Sequence, residues 1–447
     1  MKISKIHIKD FHQFKDFTLD LTYPQGHEKA GQPLDKVCFI GKSGTGKTSL
    51  LELIPLFLYS YETNLVDKSG LRDIAENIEV FATLGYNDEY KVKINLERQD
   101  GDFEIYNWHW WEQNINDKAI VDFKDNEWLG KVSSKLIYFP ADLNFEIDLE
   151  PNSKLDDRMI IDFSHDKIAA VWNLILEKIR TYQEQELNFR QDISKVAEKS
   201  ASNVKAIQEA VKKLEDWKIT AFNPIIDLAD NCLNPWLLKS HLRVKKELDF
   251  KTKDDIGFIK IEDFHGNEIP HGLWSTGTKQ VILSVLPLYL LRPKHTIVIF
   301  DEPERSLYPD LQRKGVDYYA SFTENCQLVF ATHSPTIAAS FDPWEIVELK
   351  FDSRNNNKVY RETYFEGENH IDNYKWNPKY MRWDDILQRV FDLEDDGSPD
   401  RKIKLDELAT LNVKFKKLKK QGQEHSVEAL EIIKDIEKLS KDLSKWD

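Results

Sequence analysis

Polar and apolar residues alternate at Ile6 and Ile8 and again at Phe17, Leu19 and Leu21, so residues 2 to 21 read as two strands joined by a turn. "KVCFI" (36 to 40) is a short apolar run of the kind expected of a buried parallel strand. It stops at Gly41, and "TSLLELIPLFLYS" from Thr48 reads as a helix that Pro55 should kink. Between 77 and 111, "NIEVFATLGY", "YKVKINLER" and "FEIYNWHWW" alternate as antiparallel strands do, and "KLIYFPAD" (135 to 142) reads as another buried strand, halted by Pro140.

The period changes from about His165 to Lys246. Apolar residues recur there at spacings of three and four among Lys, Glu and Gln, which predicts helices, including a short antiparallel pair turning near "KSASN". The stretch is too short for a long coiled-coil arm. Strands return at "GFIKIEDF", "HTIVIF" (295 to 300), "CQLVFATH" (326 to 333) and "EIVELKF". From 377, "NPKYMRWDDILQRVF" and two Lys/Glu-rich helices close the sequence, and Asp392 to Asp400 between them reads as a solvated acidic loop.

Composition narrows the class. The 447 residues allow two or three domains, and 41% hydrophobic with 12% aromatic content is globular rather than disordered. A formal charge of −15 argues against a surface coated for bulk nucleic-acid binding, and the dense basic run "KFKKLKK" from Lys414 reads as the polar face of a helix. Cys38, Cys232 and Cys326 are far apart and suggest neither a disulfide framework nor a zinc site. With no signal-peptide pattern and no apolar run of membrane-spanning length, a soluble cytoplasmic protein without membrane contact is expected.

The candidate chemistry begins at Gly41-Lys42-Ser43-Gly44-Thr45-Gly46-Lys47-Thr48, which fits G-x-x-x-x-G-K-[ST] at every fixed position. Glycines let the backbone curl so that its N–H groups face a polyphosphate; Lys47 would place charge on the β- and γ-phosphates and Thr48 a hydroxyl on Mg²⁺. The apolar run from Ile297 ends at Asp301 and Glu302, where an open parallel sheet binds ligands. Asp301 suits the magnesium shell, and Glu302 suits orienting and polarising the attacking water. His333, just past "LVFAT", suits a hydrogen-bonding sensor of the γ-phosphate. Upstream, "LWSTGTKQVILSVLPLYLL" places Ser275, Gly277 and Gln280 at the start of an apolar helix, a second anion site. One chain needs only one phosphate loop, so this second site is expected to cap ATP held by another copy.

In this order the motifs "GKSGTGKT", "WSTGTKQ", "IVIFDEPERSLYPD" and "FATHSP" resemble the ABC-type ATPase heads of the SMC, RecF and OLD group, over roughly residues 1 to 345 apart from the helical insert. The resemblance implies an α/β fold: an ABC-type P-loop ATPase head with a mixed sheet, an inserted helical (short coiled-coil) subdomain and a helical C-terminal tail. Its parts would be an N-terminal ATPase lobe (1–164), a helical insertion (165–250), a C-terminal ATPase lobe (251–350) and a mostly helical interaction region (351–447). It implies ATP and Mg²⁺ as ligands, with Glu302, His333 and Lys47 catalytic and Thr48 and Asp301 at the metal. The nucleotide-binding set is Gly41, Ser43, Gly44, Gly46, Lys47, Thr48 and Ser49, completed by Ser275 and Gly277 of a second copy in an ATP-sandwich dimer or higher homo-oligomer. Trp274 replaces the leucine usual before the serine, and Asp142 stands where the family's glutamine loop would place a glutamine. Phe11 and Phe14 are either adenine contacts or core aromatics, and Tyr106 to Trp111 is either sheet core or a partner-binding edge.

Two tasks fit such a head. The compact head, short insert and "NPKYMRWDDIL" tail resemble the stand-alone ATPase subunits of bacterial anti-phage defence systems (Septu, PARIS and type I retrons), which would make a separate nuclease or toxin the effector. The alternative is a DNA-repair or chromosome-handling clamp with direct DNA contact.

Overall fold

The structure, a computed structural model, describes residues 2–11, 13–63, 78–83, 91–99, 102–104, 109–110, 136–143, 160–163, 167–199, 204–246, 259–352, 355–361, 377–391, 393 and 398–443. In chain order its main elements are β1 (Lys2–Phe11), β2 (Phe14–Asp20), β3 (Lys36–Gly41), α1 (Lys47–Thr63), β4 (Ile78–Thr83), β5 (Lys91–Gln99), β6 (Asp102–Glu104), β7 (His109–Trp110), β8 (Leu136–Phe139) and β9 (Ile160–Asp162). Then come α2 (Lys167–Lys199), α3 (Val204–Thr220), α4 (Pro224–Leu228), α5 (Asn234–Leu237), β10 (Leu242–Val244), β11 (Ile261–Asp263), β12 (Glu268–Ile269), α6 (Thr276–Leu291), β13 (Ile297–Asp301), α7 (Pro309–Ser321), β14 (Gln327–Ala331) and α8 (Pro335–Ala338). The last are β15 (Ile346–Asp352), β16 (Asn355–Arg361), α9 (Trp383–Arg389), α10 (Pro399–Lys420) and α11 (Val427–Leu443).

The central sheet has seven strands in the order β16-β15-β3-β14-β13-β8-β9. All neighbours are parallel except β15 and β16, so the sheet is mixed, as expected. Parallel strands buried on both faces must be apolar nearly throughout, and β8, β13 and β14 are fully buried along their length. Alternation then sorts their side chains between two layers. Phe39, Tyr138, Ile299 and Val329 pack with Leu50, Leu51 and Ile54 of α1 and with Ile6, Ile8, Phe17 and Leu19 of β1 and β2. Phe139, Phe300 and Phe330 form a stacked row, with ring centroids 5.0 and 4.8 Å apart, and Tyr319 of α7 lies 4.5 Å from Phe300. Full burial of one such ring contributes roughly 1.5–3 kcal/mol.

The second sheet, ordered β2-β1-β4-β5-β6 with β7 also on β5, is antiparallel as the alternation predicts. Gln327, wholly buried at the start of β14, ties it to the central sheet. Its amide accepts from the Ile3 N–H at 2.8 Å and donates to the Ile3 and Leu34 carbonyls, both at 2.9 Å. Of the aromatic cluster, only the His109 and Trp110 backbones are described, pairing with Lys93 and Val92; the remainder lies outside the described residues.

The insert contains the expected antiparallel pair. Trp217 of α3 stacks on Tyr182 of α2 at 5.0 Å, and Lys218 bridges to Glu186 at 2.9 Å. Two short strands depart from the helical reading. Leu242–Val244 follows His241, whose φ of +58° ends the preceding helical turn, and pairs with β11. The polar segment Asn355–Arg361 forms the sheet-edge strand β16, so the sheet continues past residue 350.

The chain forms two compact units, Met1–Tyr380 and Met381–Asp447. Within the second unit, Lys404 pairs with Asp442 at 3.3 Å and the Arg401 guanidinium donates to the Leu443 carbonyl at 3.1 Å, joining α10 to α11. No helix among the described residues is long and apolar enough to cross a membrane.

Candidate nucleotide-binding site

β3 delivers the loop and α1 begins at Lys47, so the sequence turns from strand to helix over residues 41–46. Gly41, Gly44 and Gly46 all have positive φ. At Gly46, φ is +89° and an added Cβ would lie 1.9 Å from Gln13 Nε2 and 2.9 Å from the Phe14 ring, so only glycine fits. Thr45 is buried and its hydroxyl donates to the Lys42 carbonyl at 2.8 Å, leaving Ser43 and Gly44 exposed at the loop's crown. Lys47 Nζ folds under the loop and donates to the Gly41 and Lys42 carbonyls at 2.9 and 3.3 Å. Burial lowers its ammonium pKa to about 8, against the attraction of Glu302, Asp301 and Glu304.

β13 carries Asp301 to the strand end, 3% exposed. Burial pushes its carboxyl up to about 6; Glu302 and Glu52 push the same way, while a hydrogen bond with Thr48 and the charge of Lys47 oppose them. One oxygen, Oδ1, is buried without a hydrogen-bond partner. A cation beside Thr48 and Asp301 would satisfy it, and together with the glycine loop this donor set fits an Mg²⁺-polyphosphate. Glu302 follows with φ of +44°, a left-handed conformation that non-glycine residues adopt at a cost. Its Oε1 lies 3.6 Å from His333 Nε2. Burial and then the Lys47 charge lower the His333 pKa, outweighing Glu302, which keeps the imidazole neutral near pH 7.

Lys47, Thr48, Asp301, Glu302 and His333 therefore meet at the ends of β3, β13 and β14. Ser275 and Gly277 sit at the start of α6. The Ser275 hydroxyl caps the helix by accepting from the Thr278 N–H at 3.1 Å, and it is exposed. Gly277 packs against Ser306 of the same chain: an added Cβ would stand 2.5 Å from the Ser306 carbonyl oxygen. Gln280 is buried in α6. Asp142 pairs with Arg305, which places it against the segment following the acidic pair. Phe14 is wholly buried 4.9 Å from Phe17, a core aromatic beneath the loop; the Phe11 side chain lies outside the described residues.

The structure adds groups that motif reading passed over. Gln13 lies over the loop, with Nε2 3.5 Å from the Gly44 carbonyl. Glu304, the last residue of "DEPE", is buried and accepts from the Thr332 hydroxyl and from the His333 and Ser334 N–H groups. Its sequence signal is a second carboxylate three residues past the strand end at Asp301.

Comparison with curated proteins finds no match. Among solved structures the chain is similar to three SMC heads. One is an SMC head bound to the C-winged helix domain of ScpA (13% identity, TM-score 0.42, 81% of this chain and 97% of that one). Another is an SMC head with an extended coiled coil bound to the C-terminal domain of ScpA, derived from Pyrococcus furiosus (14%, 0.42, 80% and 96%). The third is the SMC head domain from Thermotoga maritima (13%, 0.38, 81% and 98%). Residues 1–338 match the AAA ATPase domain family, a span that holds the glycine loop, the acidic pair and the strand-end histidine. The chain belongs to the AAA ATPase domain family.

Proposed function

We propose that the protein binds ATP with Mg²⁺ at residues 41–49 and hydrolyses it to ADP and phosphate. The observation that carries this is the convergence of Lys47, Thr48, Asp301, Glu302 and His333, in which Asp301 bonds with Thr48 while its second buried oxygen, Oδ1, lacks a partner. Mg²⁺ held by Thr48 and Asp301 would neutralise charge on the β- and γ-phosphates. Lys47 leaves its loop carbonyls for those oxygens. Glu302 orients a water and accepts its proton as the water oxygen bonds to Pγ, and the bond from Pγ to the bridging oxygen breaks to release ADP. Neutral His333 donates its N–H to a γ-phosphate oxygen.

In this reading the exposed start of α6, with Ser275 and Gly277, caps the nucleotide of a second copy in a head-to-tail homodimer or larger assembly. The protein is cytoplasmic and regulates a separate nuclease or toxin in anti-phage defence. The short α2–α3 insert and the helical C-terminal unit support that role, alongside the resemblance of the "NPKYMRWDDIL" tail to those of stand-alone defence ATPases. Direct DNA clamping is the competing outcome, disfavoured by a net charge of −15.

Lys47→Ala should lose ATP binding, measured by equilibrium titration. Glu302→Gln should bind ATP yet hydrolyse it at least about 100-fold more slowly. Wild-type affinity in the first variant, or wild-type turnover in the second, would refute the site. Affinity purification of Glu302→Gln with ATP from its host then separates the two roles: a stoichiometric nuclease or toxin supports defence, and DNA with repair proteins supports the clamp.

A further inference from the structure

The motif "DEPE" contains a carboxylate, Glu304, that the hydrolytic scheme does not use. Glu304 is 9% exposed, and its side chain turns away from solvent toward the loop that follows β14. Oε1 accepts from the Thr332 hydroxyl, from the His333 N–H at 3.0 Å and from the Ser334 N–H at 3.2 Å. Three donors on one oxygen, two of them backbone, make a clamp on consecutive residues.

The clamp is braced from both sides. The Ser334 N–H also donates to Thr332 Oγ1 at 2.8 Å, and the Ser334 hydroxyl caps α8 while donating to Gln312 Oε1 at 2.6 Å. Gln312 Nε2 in turn donates to the Leu307 carbonyl at 2.8 Å, returning the network to the segment after Glu302. Behind it, the Glu302 N–H donates to the Ala331 carbonyl at 2.9 Å and the Thr332 N–H to the Phe39 carbonyl at 3.0 Å. The residue held at the centre is His333, whose ring reaches Glu302 at 3.6 Å.

We propose that Glu304 is a positioning residue: by fixing the backbone of residues 332–334 it sets the His333 imidazole against Glu302 and the γ-phosphate position. This rests on the ATPase reading above. Its chemistry predicts a division of labour. Nucleotide affinity resides in the glycine loop and Lys47, whereas the clamp acts only on the geometry of the reacting end, so its loss should appear in kcat.

The experiment is steady-state ATP hydrolysis and ATP titration on the full chain with four variants. Glu304→Ala should lower kcat by about 100-fold, the scale of a displacement near 1 Å at reacting groups, while KM and ATP affinity stay near wild type. Glu304→Gln keeps an oxygen where Oε1 sits, can accept the same three donors, and should restore most of the turnover. Thr332→Val removes, at constant shape, the hydroxyl that donates to Glu304 and accepts from the Ser334 N–H, and should lower kcat by a smaller factor, again without changing KM. If Glu304→Ala does not fold, Thr332→Val decides: a kcat loss at constant KM supports the clamp and wild-type kcat overturns it. Wild-type turnover in Glu304→Ala, or a parallel loss of affinity and rate that Gln does not rescue, also overturns it. Lys47→Ala separates this failure from that of the parent reading: if the wild type has no turnover, or Lys47→Ala hydrolyses ATP as well as the wild type, both fall.

Discussion

Asp301→Asn isolates the electrostatic cost of building the site before any ligand arrives. In the folded chain the Asp301 carboxyl is pushed up from 3.8 to about 6, first by burial and then by Glu302 and Glu52. That displacement corresponds to about 3 kcal/mol of penalty on the ionised form. Below pH 3.8 the group is protonated in folded and unfolded chains alike and costs nothing. Between pH 3.8 and about 6 the unfolded chain ionises while the folded carboxyl stays protonated, so the penalty builds up across that window and is complete above about 6. Asparagine carries no such charge, but its amide would leave a donor beside the unpartnered Oδ1 position, costing about 1–2 kcal/mol. The net expectation without nucleotide is a variant about 1–2 kcal/mol more stable at pH 8, with the advantage gone or reversed at pH 4.5. At roughly 2 °C per kcal/mol for a domain of this size, the head transition should rise by about 2–4 °C at pH 8. Thermal melts followed by tryptophan fluorescence at both pH values provide the assay. Saturating ATP and Mg²⁺ should reverse the order at pH 8, because only the wild type gains the carboxylate–cation interaction. A variant less stable than wild type at pH 8, or a pH-independent difference, would refute the account of Asp301 as a strained, cation-ready carboxylate.

Two further substitutions test close approaches. Gly46→Ala forces a β-carbon to within 1.9 Å of Gln13 and 2.9 Å of the buried Phe14 ring at φ +89°, so ATP affinity should fall at least tenfold with the circular dichroism unchanged. Adding Gln13→Ala should not restore it, because the Phe14 contact and the backbone strain persist; restoration would show that the loop tolerates a side chain. Gly277→Ala meets the Ser306 carbonyl at 2.5 Å and should retain ATP binding while losing turnover, and wild-type hydrolysis by that variant would count against any role for this contact.

What the sequence discloses follows from range. The glycine loop, the acidic strand end and the buried strands are written in contiguous residues, so pattern and spacing suffice to place them. Glu304 is different: its partners lie 28 to 30 residues later, and its meaning emerges only when β13 and β14 pair in parallel register. The edge strand Asn355–Arg361 carries little apolar alternation; pairing with β15 and a 3.0 Å bond from the Val359 N–H to the Gln13 carbonyl hold it instead. Phe14 shows the limit in another form. Alternation assigns it to a strand, but its packing against the underside of the loop depends on β1 and β2 folding back toward α1.

The Gly277–Ser306 approach has a consequence for timing. It locks the start of α6 to the segment leaving the acidic pair, so a movement at Glu302 would be transmitted to Ser275 without passing through flexible side chains. In the proposed head-to-tail pair Ser275 serves the other copy's nucleotide. Occupancy of one site would then alter the affinity of its twin, and thermodynamic reciprocity requires the influence to run equally in both directions. Such a pair would count nucleotides cooperatively, firing or releasing as a unit rather than as two independent enzymes.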